Sequence, residues 1–390
     1  MIRAVLLLSV MWLSGCGVVG SYAWWQPTAT TLQYQHHWQR LVANFISPDG
    51  RVIDLHSERE ISTSEGQAYG MFLALVADDQ ATFDKLLNWT KKHLLPAQSF
   101  TDPPAWLWGQ RDDGSWGVLD SNPASDADIW MAYALLHAAE RWNQPSYAEY
   151  GRALANQVLR EQTAESVHGL VLLPGPQGFR HAHGVTVNPS YFSLPLFIDL
   201  AKRLQDQRWL ELHQTATLLL QQLTVLGGVP DWVDVDENLQ LTTEQAFANN
   251  NGHLLGSYNA IRTYLWLRME ADRLASSVTA LNFRYPPLIN RLQTLPAPET
   301  LVFELASSAT TPPQFERDAP VGFYAMYAHY VTDDEVQQAL WQQLSQWPPT
   351  DYAERYYDTM LLLFGLGYQQ CYRFDENGAL KLNHHRGCHG

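Results

Sequence analysis

Three carboxylates mark where this chain could do chemistry. Glu65 stands within ISTSEGQAYGMFLAL, and Asp126 and Asp128 stand within NPASDADIWMAYALLHAAERW. Both stretches open a helix-like apolar pattern just after the acids. A carboxyl that gives a proton and a second that takes one are what hydrolysis of a glycosidic bond usually needs. Each acid also has a plainer account. Glu65, after Thr63 and Ser64, complements the positive end of a helix. Ser125 and Asp126 satisfy the unpaired N–H groups of a helix start. Asp126 and Asp128 are two apart and so do not share a helix face. Both are therefore not expected to reach one sugar.

These acids must be carried by a large fold. The chain has 390 residues, 46% of them hydrophobic, which permits a sizeable core. A net charge of −15 argues against nucleic acid as a partner, because phosphates reward Lys and Arg. Fifteen Trp and eighteen Tyr fit either an aromatic core or a cleft where rings stack on sugar faces.

The first residues read as a targeting segment. Arg3 precedes an apolar run, Ala4 to Leu13, of signal-peptide length and too short to span a bilayer. It ends in Leu13-Ser14-Gly15-Cys16, which resembles a bacterial lipobox with Cys16 as the lipidated residue. An ordinary signal peptide is the alternative, and either reading exports the chain to the periplasm or beyond. Residues 1–16 are thus a leader, 17–29 a lead-in, and 30–390 one domain. In an oxidising compartment Cys371 and Cys388 could pair and pin the C-terminus. His384, His385 and His389 lie beside Cys388, but at a frayed end. No metal site is expected.

Apolar residues recur at helical spacing, with few strand signals. Phe83, Leu86, Leu87, Thr90 and Leu94 form one stripe. Val336, Ala339, Leu340 and Leu344 form another, with Thr332 and Glu335 at capping-box spacing before it. The segments predicted as helical are 30–46, 65–78, 80–95, 125–142, 146–160, 190–204, 207–224, 254–272, 277–293, 319–331, 333–346 and 352–366. Long links rich in Gly, Pro and Trp run over 96–124, 161–189, 225–253 and 294–318. Paired helices with long loops at one end suggest a helical toroid whose rim carries the site.

The run from Ala124 through Asp128 to Trp142 resembles the signature of glycoside hydrolase family 8. Thr63 to Gly70 resembles the segment carrying that family's proton donor. Pro104 to Gly109, Asn188 to Tyr191, Pro230 to Val233, Pro320 to Phe323 and Tyr356 to Gly367 extend the likeness over nearly the whole mature chain. The nearest kind is the exported endoglucanase encoded with bacterial cellulose synthases. The resemblance implies an all-α, (α/α)6 barrel, an inverting mechanism, no cofactor and a β-glucan chain as substrate. It allows a synthase complex as partner, a monomer, and membrane contact only through a lipid anchor. Glu65 becomes the acid, and Asp126 a residue that positions sugar and water.

One position departs from the family. Its usual base is the Asp of a Tyr-Asp-Ala-x-Arg segment, and this chain has Ser257-Tyr258-Asn259-Ala260-Ile261-Arg262. An amide takes no useful proton at neutral pH. Another carboxylate could replace it. The preceding loop offers Asp234, Asp236, Glu237 and Glu244, of which Glu244 is selected. Alternatively the protein cuts very slowly, or it binds glucan as an accessory without cutting. Family relatives with Asn also include hydrolases of chitosan and mixed-linkage glucan. Trp106, Trp108, Trp116 and Tyr191 are the expected sugar-stacking residues, with Tyr258, Asn259 and Arg262 near the cut point.

Overall fold

The computed structural model describes residues 32–55, 57–95, 101–224, 228–242, 254–274, 303–305, 314–315, 321–331, 333–345, 355–383 and 388. Eleven α-helices lie among them: α1 (Leu32–Phe45), α2 (Ser64–Val76), α3 (Gln80–His93), α4 (Ser125–Arg141), α5 (Pro145–Glu161), α6 (Leu194–Leu204), α7 (Arg208–Thr224), α8 (Ala260–Leu274), α9 (Val321–Tyr327), α10 (Asp334–Ser345) and α11 (Tyr356–Gln370). Helix α2 packs on α4, α4 on α6, α6 on α8, α8 on α9, α9 on α11, and α11 back on α2. Six helices therefore close an inner ring. Around it α3 covers α2, α5 covers α4, α7 covers α6, α10 covers α9 and α1 covers α11. This is the expected (α/α)6 barrel. The helix predicted over 277–293 falls outside the described residues, as do the leader, Cys16 and the lead-in.

The inner helices read as apolar on every side because they are buried on every side. From Gly66 to Val76, every residue of α2 is buried. Phe72 meets Trp130 at 4.8 Å and Phe364 at 5.6 Å between ring centroids, and Trp130 meets Trp266 at 4.9 Å. Rings from α2, α4, α8 and α11 thus fill the axis, each pair adding about 1 kcal/mol beyond its buried area. Helices α9 and α11 approach closely because position 365 is glycine. A Cβ there would stand 2.5 Å from the Ala325 carbonyl oxygen.

The outer helices follow the predicted stripes unevenly. Phe83, Leu86, Leu87, Thr90 and Leu94 are all buried. On α10 the buried residues are Trp341, Leu344 and Ser345, while Val336 is 39% exposed and Ala339 is also exposed. Trp341, against the ring of His329 at 5.0 Å, sets the inward face instead. Asp333 caps this helix, its Oδ1 accepting the N–H groups of Glu335 and Val336, and Thr332 lies outside the described residues.

The structure also corrects several boundaries. Residues 189–191 form a 3-10 turn and α6 begins only at Leu194; residues 254–256 are a strand and α8 begins at Ala260. The long links hold short antiparallel strands. β1 (Ser62–Thr63), β2 (Leu107–Gln110) and β3 (Trp116–Asp120) form one sheet, and β4 (Thr163–Ser166) pairs with β5 (Gly169–Leu172). β6 (Arg180–His181), β7 (Gly184–Val187), β8 (Val233–Val235) and β9 (Leu241–Thr242) form a four-stranded sheet in that order. Strands of two to five residues are too short to show a period in sequence.

Cys371 and Cys388 are disulfide-bonded with a Cα–Cα distance of 5.5 Å, as export led us to expect. Closing that loop restricts the unfolded chain by about 3 kcal/mol in the chain-entropy account. Among the described residues, no helix is long and apolar enough to cross a membrane.

A buried histidine should make the barrel acid-sensitive. His37 on α1 is 1% exposed, and its Nε2 lies 3.2 Å from the carbonyl oxygen of Ser345 at the end of α10. Burial lowers its pKa from 6.5 to about 4. Between those values the unfolded chain binds a proton that the fold refuses, so stability should fall as pH falls through that window, by about 3 kcal/mol in all. His37→Gln should flatten this part of the stability curve. Urea unfolding at a series of pH values measures it, and identical slopes for the two proteins would refute the assignment.

Candidate active site

The acid at position 65 is placed by a strand and a cap. β1 pairs with β2, setting Thr63 opposite Leu107, and the Ser64 N–H donates to the Trp106 carbonyl at 2.9 Å. Thr63 then caps α2, its Oγ1 accepting the Gly66 N–H at 2.9 Å. Glu65 stands in the first turn of α2 with its side chain partly exposed. Its neighbour must be glycine, since a Cβ at 66 would run into the Tyr356 hydroxyl.

Asp126 enters from the first turn of α4. That turn is fastened by Ser125, whose Oγ donates to the Leu173 carbonyl at 2.6 Å and whose N–H donates to Pro174. The two carboxylates of this helix diverge. Asp126 faces the barrel axis, whereas Asp128 turns to Gln162, whose Nε2 donates to it at 2.6 Å. Burial raises the Asp128 carboxyl well above its ordinary pKa.

Arg262, on the first turn of α8, gathers the site. Its Nη1 donates to a Glu65 carboxylate oxygen, to the Tyr69 hydroxyl at 2.7 Å and to Asp126 Oδ2 at 3.1 Å. Its Nη2 donates to Ser190 Oγ and to Asn259 Oδ1, both at 2.9 Å. The Tyr69 hydroxyl donates in turn to Asp126 Oδ2 at 3.2 Å. The Glu65 side chain keeps 25% exposure while that of Asp126 keeps none. Of the two acids, only Glu65 is open to an incoming molecule.

Burial, and after it the charge of Glu65, push the Asp126 carboxyl up to about 7; Arg262 and the hydrogen bonds oppose this. Burial acts against the cation of Arg262, but the surrounding carboxylates and phenols more than offset it and raise its pKa. The guanidinium therefore stays charged at the bottom of the site.

Asn259 presents its amide oxygen to Arg262. Its Oδ1 also accepts Asn188 Nδ2 at 3.1 Å, and Asn188 Oδ1 accepts the Ser190 N–H and Oγ–H. Asp231 Oδ1 accepts the N–H groups of Ser257, Asn259 and Ala260 at 2.9, 3.0 and 2.7 Å. Three of the loop acids proposed as replacements lie together at the end of β8. Asp234 is buried and accepts from Thr186 Oγ1, and Asp236 closes its own turn by accepting the Asn238 and Gln240 N–H groups. Glu237 sits on that same turn, and Glu244 lies outside the described residues.

The aromatic expectations divide. Tyr191 reaches the centre, its ring 5.7 Å from the Arg262 guanidinium, and is itself buried. Trp106 is half-buried against the core. Trp108 is a packing residue, 9% exposed among Trp89, Leu94 and Val118. Trp116 is 43% exposed and stacks on Trp108 at 5.2 Å, with the Arg51 guanidinium beside both rings. Tyr258 is 53% exposed, its ring against Phe323 and its carbonyl accepting the Tyr357 hydroxyl. Sequence reasoning missed Tyr69, Asn188, Ser190, Asp231 and Trp232. Tyr69 follows Glu65 by one helical turn, a spacing that could have revealed it. Trp232 stacks on Phe179 at 6.0 Å and touches Tyr191 at 6.5 Å. Among the described residues, no group of three metal-ligating side chains converges.

An open carboxyl backed by a buried acid and a fixed cation can protonate a leaving oxygen. Comparison with known proteins gives the family. The sequence profile of glycosyl hydrolases family 8 matches residues 10–371. An Endoglucanase of Escherichia coli (strain K12) is 37% identical over 348 residues, 88% of this chain and 89% of that one. An Endoglucanase of Pseudomonas fluorescens (strain SBW25) is 36% identical over 374 residues, 90% of this chain and 92% of that one. The crystal structure of an endo-1,4-D-glucanase from Vibrio fischeri ES114 superposes with a TM-score of 0.79 at 34% identity, covering 89% of this chain and 99% of that one. The chain belongs to glycosyl hydrolases family 8 and is a glycoside hydrolase.

Proposed function

We propose that this protein is an endo-acting β-1,4-glucanase that inverts configuration, is exported, and serves bacterial cellulose synthesis. Relatives named endoglucanase over most of their length support the substrate class. The single observation carrying the mechanism is the exposed Glu65 carboxyl joined through Arg262 to the sealed Asp126. A glucan laid over Glu65 displaces its water, and a dry carboxyl carries a proton to the glycosidic oxygen. Arg262, Tyr69 and Asp126 fix its direction. Inversion then needs a base about 6.5–9.5 Å away, with water between. Asn259 cannot serve, so we assign that role to Glu244, on the segment leading to Ser257. Attachment through a lipidated Cys16 and work beside a synthase complex complete the proposal.

The Asn at 259 favours a second reading, a chitosanase or mixed-linkage glucanase, and a third, a glucan-binding accessory without turnover. Purified protein incubated with cellohexaose and with a chitosan hexamer, followed by proton NMR of the anomeric signals, separates these. Internal cleavage of the cellulose oligomer with the α-anomer appearing first is expected. Cleavage of chitosan alone would move the substrate class, and binding without any cleavage would sink the hydrolase reading.

A further inference from the structure

We infer that Asp231 is a positioning residue for this reaction: it fixes the turn from Ser257 to Ala260 and thereby aims Asn259 and Arg262 into the site. The inference rests on the hydrolase reading above. One carboxylate oxygen of Asp231 accepts three consecutive-turn N–H groups, from Ser257, Asn259 and Ala260, at 2.7 to 3.0 Å. Those N–H groups belong to the start of α8, which has no capping side chain from its own segment among the described hydrogen bonds. The cap comes instead from a residue distant in the chain. Arg262 follows on the first turn of the same helix, so any rotation of the turn moves its guanidinium away from Glu65.

The four-stranded sheet explains why Asp231 is there. Val187 pairs with Val233 across β7 and β8. Asn188 and Asp231 therefore leave the same end of the sheet together. Asp231 takes the backbone of position 259, and Asn188 takes its side chain through Nδ2. Trp232, stacked on Phe179, holds the strand end between them. A carboxylate also suits the site electrostatically. It faces the positive end of α8 and lies near the buried Arg262 cation, which lowers the cost of ionising it; burial works the other way and prevails.

The expected result distinguishes positioning from proton transfer. Asp231→Ala should lower kcat on cellohexaose by about 100-fold with KM nearly unchanged, because the groups that bind sugar remain while the reacting geometry is lost. Asp231→Asn keeps an oxygen to accept the same N–H groups and should stay within about ten-fold of wild type. If Asn is as inactive as Ala, the carboxylate itself handles the proton and the inference fails. If both variants match wild type, it fails as well. Should the alanine chain not fold, as judged by its thermal transition, Asp231→Ser carries the same expectation. A crystal structure of the variant reads the inference without turnover: the 257–260 turn should shift and Arg262 should release Glu65. An unmoved turn overturns the positioning role. A wild-type protein that never cleaves overturns only the hydrolase reading.

Discussion

Glu65→Gln should lower kcat on cellulose oligomers by about a thousand-fold, within the range a general acid supplies. The amide has the shape of the carboxyl, and its oxygen can still accept from Arg262 Nη1, so the first turn of α2 should stay in place. What is lost is the proton for the leaving oxygen. Binding of the uncut oligomer, read by calorimetry, should persist within a few-fold, because the other side chains around position 65 are unchanged. A cellobioside of an acidic phenol provides an internal control. Its leaving group departs without protonation, so its rate should fall far less. Equal losses on both substrates would assign Glu65 a structural part, and equal rates for Gln and Glu would remove it from the mechanism.

That expectation rests on an electrostatic arrangement seen only in three dimensions. Arg262 sits between an open acid and a sealed one. Because burial, and after it the charge of Glu65, raise the Asp126 carboxyl to about 7, Asp126 changes charge close to neutrality rather than in acid. A fixed cation below two carboxyls keeps their side chains aimed while the sealed member gains or loses its proton.

How much of this was legible in the sequence depended on the range of the interactions. Helices α2, α4 and α11 announced themselves because inner-ring helices are apolar throughout. The cap at Thr63 and the divergence of Asp126 from Asp128 follow from local geometry, and both hold. Helix α10 was misjudged in its inward face, because Trp341 against His329 outweighed the aliphatic stripe. Trp108 was taken for a sugar platform since a loop tryptophan looks alike whether it meets glucan or Trp89; only its burial decides. The role of Arg262 came through the family likeness, and its five partners lie on four separate segments. Asp231 lay within the Pro230 to Val233 likeness, but its part was not legible, since a carboxylate capping a helix across a long chain separation leaves no local spacing.

The second large effect concerns the missing base. If Glu244 accepts the proton from water, Glu244→Gln should reduce kcat by about 100-fold or more with little change in KM. Asn259→Asp should then restore at least ten-fold of that loss in the Glu244→Gln background. The reason lies in the contacts of Asn259. Its Oδ1 already receives Arg262 Nη2 at 2.9 Å and Asn188 Nδ2 at 3.1 Å, so one carboxylate oxygen would inherit both donors. The other would replace the amide nitrogen with an acceptor, and the Arg262 cation would balance the added charge. In the wild-type background the same substitution should add little, because a working base is already present. A large gain there, with no loss on Glu244→Gln, would show instead that the native chain lacks an effective base and turns over slowly for that reason.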